Sequence, residues 1–218
     1  RERAEATDPT APFREKLDAG HIIGRSEALA KLLEQIASVS ALRRIDVLLT
    51  GDAGTGKTAI GQLLARSGPR AKGAFVTLSC ANLSEELLEA DLFGARAGAH
   101  STAHQDLPGK LETAEGGTLF LDEVAELSSR SQAKLLQFLQ SREYYPLGDP
   151  QLRKADVRVI AATNADLHAL VREGKFRQDL LFRLQVLDIR VPSLAERKED
   201  IPSLMRHFLE RAAEENAV

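Results

Sequence analysis

Cysteine and long apolar runs are scarce in this chain. Cys80 is the only cysteine, so an internal disulfide is excluded, and we expect Cys80 to be a buried core thiol without a redox role. No apolar run approaches the roughly 20 residues of a membrane-spanning helix, and the amino-terminal residues lack the apolar stretch of a secretory signal. These absences predict a cytoplasmic protein with no membrane association.

Positive charge is not in excess either. The 218 residues carry a formal net charge of -3, and the lysines and arginines are scattered through the predicted helices. A segment that binds nucleic acid by itself concentrates such residues on one face. We therefore expect any contact with DNA to be made by a domain outside this chain.

The chain does have a glycine-rich octapeptide, and it directly follows the apolar run 47–49. Glycines let successive backbone amides turn inward toward phosphate oxygens, the lysine supplies a mobile positive charge, and the last hydroxyl suits Mg²⁺. An ordinary glycine turn is the alternative. We predict a phosphate-binding loop for ATP and Mg²⁺ formed by Gly51, Asp52, Ala53, Gly54, Thr55, Gly56, Lys57 and Thr58.

Near-continuous apolar strands alternate with helices along most of the chain. Such a pattern is typical of an α/β fold with a parallel sheet covered by helices on both faces. The strands are predicted over residues 45–50, 74–78, 118–121, 157–162 and 186–191. Ser26 and Asp200 are predicted helix caps, and Ser129 to Gln132 fits a capping box.

Three regions differ in composition. Residues 1–20 are charged and turn-rich, which predicts a linker or a loosely attached extension. Residues 21–191 form the predicted α/β ATPase subdomain, and the purely helical residues 192–218 begin a small lid. The stretches 93–109 and 144–156 lack any period and are predicted to be irregular connections.

Polar residues follow two further predicted strands at the points where they end. In a parallel sheet, ligands bind beyond the carboxyl ends of the strands. Asp122 could reach Mg²⁺ or its waters, Glu123 could orient the attacking water, and Asn164 could touch the γ-phosphate or the nucleophile. The alternatives are a solvated strand end for the acidic pair and a turn residue for Asn164.

Arg177 and Arg183 are candidates for stabilising the negative charge that develops during phosphoryl transfer. Six positions apart, they would point roughly 240° apart on one helix. Both could reach a single phosphate only if a helix boundary lies between them. A solvated helix face is the alternative.

Six motifs together resemble the central domain of bacterial enhancer-binding proteins, the AAA+ ATPases that activate sigma-54 RNA polymerase. The resemblance runs from about His21 to the end of the chain, in the family's order and spacing. The motifs are Ile22-Ile23-Gly24, the phosphate loop 51–58, Asp91-Leu92-Phe93-Gly94, residues 116–123, residues 157–164 and residues 176–184.

The resemblance implies a ring, commonly a hexamer, with ATP at the subunit interfaces. Ile23 and Gly24 then join the nucleotide-binding residues, Thr58 and Asp122 become Mg²⁺ ligands, and Asn164 matches sensor I. Arg177 and Arg183 match the arginines that act on a neighbouring subunit. Family members push on the sigma factor with surface loops and bind DNA through a separate domain.

Three departures from the family pattern stand out. The sigma-contacting hexapeptide Gly-Ala-Phe-Thr-Gly-Ala is replaced here by Gly98-Ala99-His100-Ser101-Thr102-Ala103. Ser79 stands where the family has an asparagine, on the strand beside the phosphate loop, that holds the catalytic glutamate. Thr58 replaces a glutamate that is common in the family.

The sequence therefore predicts an ATP-hydrolysing AAA+ regulator that remodels sigma-54 holoenzyme. The altered hexapeptide leaves an alternative open, a regulator that acts with the housekeeping polymerase or as a repressor. A third reading, an unrelated AAA+ chaperone, is disfavoured by the motifs around residues 91–94 and 176–184.

Overall fold

A five-stranded sheet with only parallel pairings forms the centre of the structure. The computed structural model describes residues 8–81, 83–98 and 105–215. The strands of the described residues are β1 (Val47–Thr50), β2 (Phe75–Ser79), β3 (Thr118–Asp122), β4 (Glu143–Tyr144), β5 (Arg153–Lys154), β6 (Arg158–Thr163) and β7 (Asp188–Arg190), of which β4 and β5 form a separate two-stranded sheet. The sheet order is β2-β3-β6-β1-β7. The predicted parallel α/β sheet is confirmed, with strand ends shifted by one or two residues.

Helices connect the strands and cover both faces of the sheet. The α-helices of the described residues are α1 (Ala11–Leu17), α2 (Glu27–Val39), α3 (Lys57–Arg66), α4 (Glu85–Phe93), α5 (Lys110–Thr113), α6 (Ser129–Ser141), α7 (Leu167–Arg172), α8 (Gln178–Leu184) and α9 (Ile201–Glu215). Short 3₁₀ helices span Val124–Glu126 and Leu194–Asp200. None of the helices within the described ranges is long and apolar enough to cross a membrane.

Side-chain oxygens cap several helices, because the first backbone N–H groups of a helix have no partner inside it. Ser26 accepts from the amide of Leu29 at 3.2 Å, which confirms the predicted cap of α2. The capping box predicted from Ser129 is wrong by one residue, since Ser128 caps α6. Gln132 instead donates its amide to the Leu127 and Lys175 carbonyls.

Two apolar cores lie on the two faces of the sheet. Strands buried on both sides need hydrophobic residues at successive positions, which is why the three inner strands β1, β3 and β6 are largely apolar. One core packs α4, α6 and α8 against the sheet and includes the fully buried Phe138. The other packs α1, α2 and α3 and includes Phe120, which is also fully buried.

The amino-terminal segment is packed against this second core. Leu17 is 2% exposed and Ala19 is fully buried, and both belong to the apolar cluster that includes residues of α2 and α3. The loosely attached extension predicted for residues 1–20 is therefore wrong for residues 8–20. Residues 1–7 lie outside the described residues. The division between an ATPase subdomain and a lid at residue 192 stays a prediction.

The stretch predicted to be irregular at 144–156 contains an antiparallel hairpin of β4 and β5. Its tip joins the other predicted irregular stretch through Leu147, whose amide donates to the Gly94 carbonyl at 2.8 Å. Ala95 forms bridges with both Leu107 and Leu147. Backbone hydrogen bonds thus join the two stretches that were predicted to be irregular.

Candidate active site

The predicted phosphate-binding loop lies between β1 and α3. Lys57 is the first residue of α3 and is only 8% exposed. Its Nζ donates to the carbonyl oxygens of Gly51 at 2.8 Å and Asp52 at 2.9 Å. Gly54 and Gly56 adopt positive φ angles, 76° and 97°. The loop thus closes around its own lysine at the amino terminus of a helix, the arrangement that suits phosphate binding.

Gly51 sits where a side chain cannot fit. Its φ is 147°, and a Cβ there would lie 2.6 Å from the Val191 carbonyl oxygen. The Val191 amide in turn donates to the Thr50 carbonyl at 2.7 Å. This close approach brings the chain that follows β7 to the phosphate loop, where Arg197 donates from Nη2 to the Thr55 carbonyl at 2.9 Å.

Asp122 and Glu123 lie where β3 ends, and both are half-buried. The Glu123 amide donates to Asp122 Oδ1 at 3.1 Å. Glu123 has φ 55° and ψ 49°, in the left-handed region. A residue with a Cβ held there costs about 1–3 kcal/mol, and such strained positions concentrate at functional sites.

The polar groups predicted to form the site lie at the carboxyl ends of three adjacent strands, β3, β6 and β1. The register pairs Thr50 of β1 with Thr163 of β6, so Asn164 follows β6 next to the start of the phosphate loop. β6 also pairs with β3 on its other side, up to Leu121 against Ala161. With neighbouring strands about 4.8 Å apart, β1 and β3 are separated by about 10 Å. A triphosphate and its metal can span that gap.

A cleft of about 650 Å³ opens beside the phosphate loop. Residues 52–56 line it on the side of the loop, and Ile22, Ile23, Val191, Leu204 and Phe208 contribute apolar side chains. His21, Ser193, Arg197 and His207 also line the cleft. This volume is typical of small-molecule sites. A polar backbone cradle next to an apolar pocket suits the phosphates and the base of a nucleotide.

The predicted nucleotide residues Ile23 and Gly24 have different surroundings. Ile23 lines the cleft. Gly24 has a φ of 129°, and a Cβ there would lie 2.5 Å from Asp200 Cγ. Glycine is therefore required at this position by the close approach of Asp200.

Thr58 and Asp122 are the predicted Mg²⁺ ligands. Thr58 is exposed on the first turn of α3, and Asp122 is half-buried at the end of β3. Hydroxyl and carboxylate oxygens are the hard donors that Mg²⁺ prefers, usually with several waters retained. The described residues contain no group of three or more His, Cys, Asp or Glu that could hold a metal by itself. The donor set thus fits an ion shared with phosphate oxygens and waters.

Cys80 is a buried thiol, as predicted, with 3% exposure. Burial raises its pKa to about 12, and the carboxylates of Asp122 and Glu123 add to the shift. Its amide donates to the Asp122 carbonyl at 2.9 Å. Sequence reasoning did not find this neutral thiol beside the acidic pair, because the contact depends on the pairing of β2 with β3.

Ser79 ends β2 and is paired with Asp122 of β3. Its strand does not lie beside the phosphate loop, so that expectation is wrong. β2 is at the edge of the sheet, and the neighbours of β1 are β6 and β7. Ser79 Oγ accepts from the Ala81 amide at 3.4 Å.

Arg177 and Arg183 are separated by a helix boundary, which is the condition under which both could reach a single phosphate. Arg177 has extended backbone angles as the N-cap of α8, and its guanidinium pairs with Asp179 at 2.8 Å. Arg183 lies inside α8 and donates from Nη2 to the Leu139 carbonyl at 2.8 Å, with Asp46 Oδ2 at 3.7 Å. Asp46 precedes β1 and lies at the amino ends of the strands, whereas the phosphate loop lies at their carboxyl ends. Neither arginine is among the described residues that line the cleft beside the phosphate loop.

The altered hexapeptide lies mostly outside the described residues. Gly98 has a φ of 82°, and Ala99, His100, Ser101, Thr102 and Ala103 are not described. An ion-pair network borders this loop: Arg96 contacts Asp106 and Asp149, the latter at 3.0 Å, and Arg153 contacts Asp149 at 3.2 Å. These side chains join the base of the loop to the β4–β5 hairpin.

The parallel sheet, its strand order and the helices on both faces define an AAA+ domain with the P-loop NTPase fold. Residues 22–190 match the Sigma-54 interaction domain family, and the chain belongs to this family. The predicted resemblance is thereby confirmed. An unrelated AAA+ chaperone is excluded.

Three known proteins illustrate the similarity. The chain is 46% identical over 201 residues to the Nif-specific regulatory protein of Herbaspirillum seropedicae, covering 92% of this chain and 36% of that protein. It is 47% identical over 195 residues to the transcriptional regulatory protein ZraR of Escherichia coli K12, covering 89% and 44%. The crystal structure of NtrX from Brucella abortus in complex with ATP has a TM-score of 0.83 at 36% identity, covering 90% and 42%. The chain spans less than half the length of each of these proteins.

Proposed function

We propose that this chain is the ATP-hydrolysing domain of a transcriptional regulator that remodels RNA polymerase holoenzyme containing sigma-54. The convergence of the Lys57 loop, Asn164 and the Asp122–Glu123 pair on adjacent strand ends carries the proposal. Membership of the Sigma-54 interaction domain family and the similarity to NtrX, which was crystallised with ATP, support it.

Each residue has a distinct task in hydrolysis. Backbone amides of the phosphate loop and Lys57 bind the β- and γ-phosphates. Thr58 and Asp122 hold Mg²⁺, which when bound would neutralise phosphate charge. Glu123 orients and polarises the attacking water, and Asn164 positions the water or the γ-phosphate.

Assembly into a hexamer-like ring completes the site. Arg177 and Arg183 lie away from the cleft of their own chain, and Phe182, on the same helix as Arg183, is 62% exposed. In a ring, these arginines reach the nucleotide of a neighbouring subunit, where an arginine raises turnover by several orders of magnitude. DNA contact belongs to a domain outside this chain.

Paired variants test the hydrolysis mechanism. Glu123→Gln removes the carboxylate but keeps the side-chain size, so ATP binding is retained while turnover falls at least about 100-fold. Lys57→Ala removes the phosphate contact, so binding itself is lost. Equilibrium binding of labelled ATP and steady-state phosphate release measure the two effects separately. Normal turnover by Glu123→Gln would overturn the role of Glu123.

The altered hexapeptide favours a second candidate function, a regulator that does not engage sigma-54. His100 stands at the aromatic tip position of the family loop, and Thr102 replaces a glycine with a β-branched residue that resists positive φ. Such a regulator would bind ATP and assemble, and it would act with the housekeeping polymerase or as a repressor.

Capture of purified sigma-54 by the full-length protein with ADP and aluminium fluoride separates the two candidates. Capture supports remodelling of sigma-54, and its absence supports the second function. A sigma-54 promoter reporter with His100→Phe plus Thr102→Gly gives an independent comparison. Strong activation by the unmodified protein would rule out the second function.

A further inference from the structure

Arg14 of α1 forms hydrogen bonds with the segment that makes one wall of the proposed nucleotide cleft. The wall, residues 19–25, leads from α1 to α2. Arg14 of α1 donates from its guanidinium to three carbonyl oxygens of this segment, those of Ala19 at 3.2 Å, Ile22 at 2.6 Å and Gly24. One side chain thus bonds to nearly the full length of the wall.

The other end of the wall is held by a residue far along the chain. Asp200 is fully buried, and its carboxylate accepts from the amides of Arg25 at 2.7 Å and Ser26 at 2.9 Å. It also accepts from Ser26 Oγ at 2.7 Å. Arg14 therefore binds the carbonyls of the segment while Asp200 binds the amides that follow, which leaves the wall little freedom.

The wall meets the apolar part of the cleft. Ile22 and Ile23 line this part together with Leu204 and Phe208 of α9, whereas residues 52–56 line the phosphate part. His21 and His207 also line the cleft. Charged phosphates require the amides of the loop, and a flat base fits between apolar side chains. The position of the wall therefore affects contacts with the base.

Arg14 is itself held within a packed helix. Its Nε donates to Thr10 Oγ1 at 2.7 Å, and Thr10 bonds to Asp8 through both its amide and its hydroxyl. Leu17 anchors the end of α1 in the core at 2% exposure. A displacement of α1 would therefore move the guanidinium and the wall bonded to it.

We propose that Arg14 is a positioning residue for the nucleotide base. Through its three carbonyl contacts it sets the place of Ile22 and Ile23, and α1 thereby sets the affinity of the site for ATP. This inference rests on the proposed function. Arg14 acts on base binding alone, because its contacts lie on the wall and not on the phosphate loop.

Calorimetric titration of the 218-residue chain with Mg²⁺–ATP and with Mg²⁺–tripolyphosphate, which has no base, tests the inference. Arg14→Gln should weaken ATP binding by about tenfold and change tripolyphosphate binding by less than about twofold. The matched control is Arg70→Gln. Arg70 also donates to backbone carbonyls, those of Arg43 and Asp156, but near the amino ends of the strands, and it is more buried than the half-buried Arg14. It should leave both affinities unchanged.

Arg14→Lys provides a second variant if the glutamine variant does not fold. Lysine keeps the charge but lacks the branched guanidinium that reaches three carbonyls. The variant should therefore weaken ATP binding and leave tripolyphosphate binding nearly unchanged, like the glutamine variant. Equal losses for both ligands, or an unchanged ATP affinity, would overturn the inference. An unmodified protein that binds neither ligand would instead refute the proposed function, and the inference with it.

Discussion

Replacing Asp200 with alanine should destabilise the fold more than most single substitutions. The carboxylate is fully buried and accepts three hydrogen bonds, two of them from backbone amides that cannot turn away. Each buried donor left without a partner costs about 1–3 kcal/mol. Ser26 Oγ can rotate to another acceptor, so the two amides set the expected loss of about 2–6 kcal/mol in the free energy of unfolding.

Urea unfolding followed by circular dichroism measures this loss. Asp188→Ala is the matched control, because Asp188 is exposed and also accepts side-chain hydrogen bonds, from Thr50 at 3.1 Å and Gln185 at 3.0 Å. It should cost no more than about 1 kcal/mol. A loss for Asp200→Ala equal to that of the control would refute the assignment of Asp200 as the anchor of the wall.

A substitution at Gly24 provides a second test of the close approach between Gly24 and Asp200. In the unmodified protein, Gly24→Ala places a Cβ against the Asp200 carboxyl and forces a φ of 129° on alanine. In an Asp200→Ala background the clash disappears and only the backbone strain remains. The double-mutant cycle should therefore give a coupling of at least about 1 kcal/mol, and additive effects would contradict the close approach.

Three further outcomes follow from the same structure. Arg177→Ala should keep nucleotide affinity within about twofold while ATP turnover falls by at least about tenfold, measured in the assembled protein, and unchanged turnover would contradict action on a neighbour. Glu196 has a pKa lowered to about 2, first by the Ser193 amide that it accepts from and then by its Arg190 partner. Because the folded-state pKa is lowered, its contribution to stability is present above about pH 4.5 and is lost as the pH falls toward 2. Glu196→Gln should flatten that part of the stability profile, and an unchanged profile would contradict the assignment. Cys80 has its pKa raised to about 12, so at pH 8 it should react with a thiol reagent far more slowly in the native than in the urea-unfolded protein, and equal rates would contradict its burial.

The sheet and the glycine-rich turn between β1 and α3 could be predicted from the sequence because their signals are local. A strand buried on both faces must be apolar at successive positions, and the loop glycines and Lys57 have a fixed spacing. The order of the strands is not local, however. The position of β2 at the sheet edge, which places Ser79 and Cys80 beside Asp122, depends on crossover connections that no single motif encodes.

Arg14 and Asp200, which hold the wall of residues 19–25, were harder to predict because their contacts are not local either. α1 has seven residues, too few to show a helical period, and Arg14 acts through carbonyls that any residue type supplies. Asp200 was expected to cap a helix, but its carboxylate binds residues 25 and 26, which are about 175 positions earlier. Sequence patterns identify a residue that can accept hydrogen bonds without revealing which distant donors the fold brings to it.

A crystal structure with a non-hydrolysable ATP analogue and Mg²⁺ tests the central claim most directly. We predict that the triphosphate lies on the amides of residues 52–57, with Lys57 Nζ moved from the Gly51 and Asp52 carbonyls onto phosphate oxygens. The metal should lie between Thr58 and Asp122. A triphosphate bound elsewhere, or an analogue absent at millimolar concentration while Lys57 keeps its two carbonyl contacts, would contradict the account.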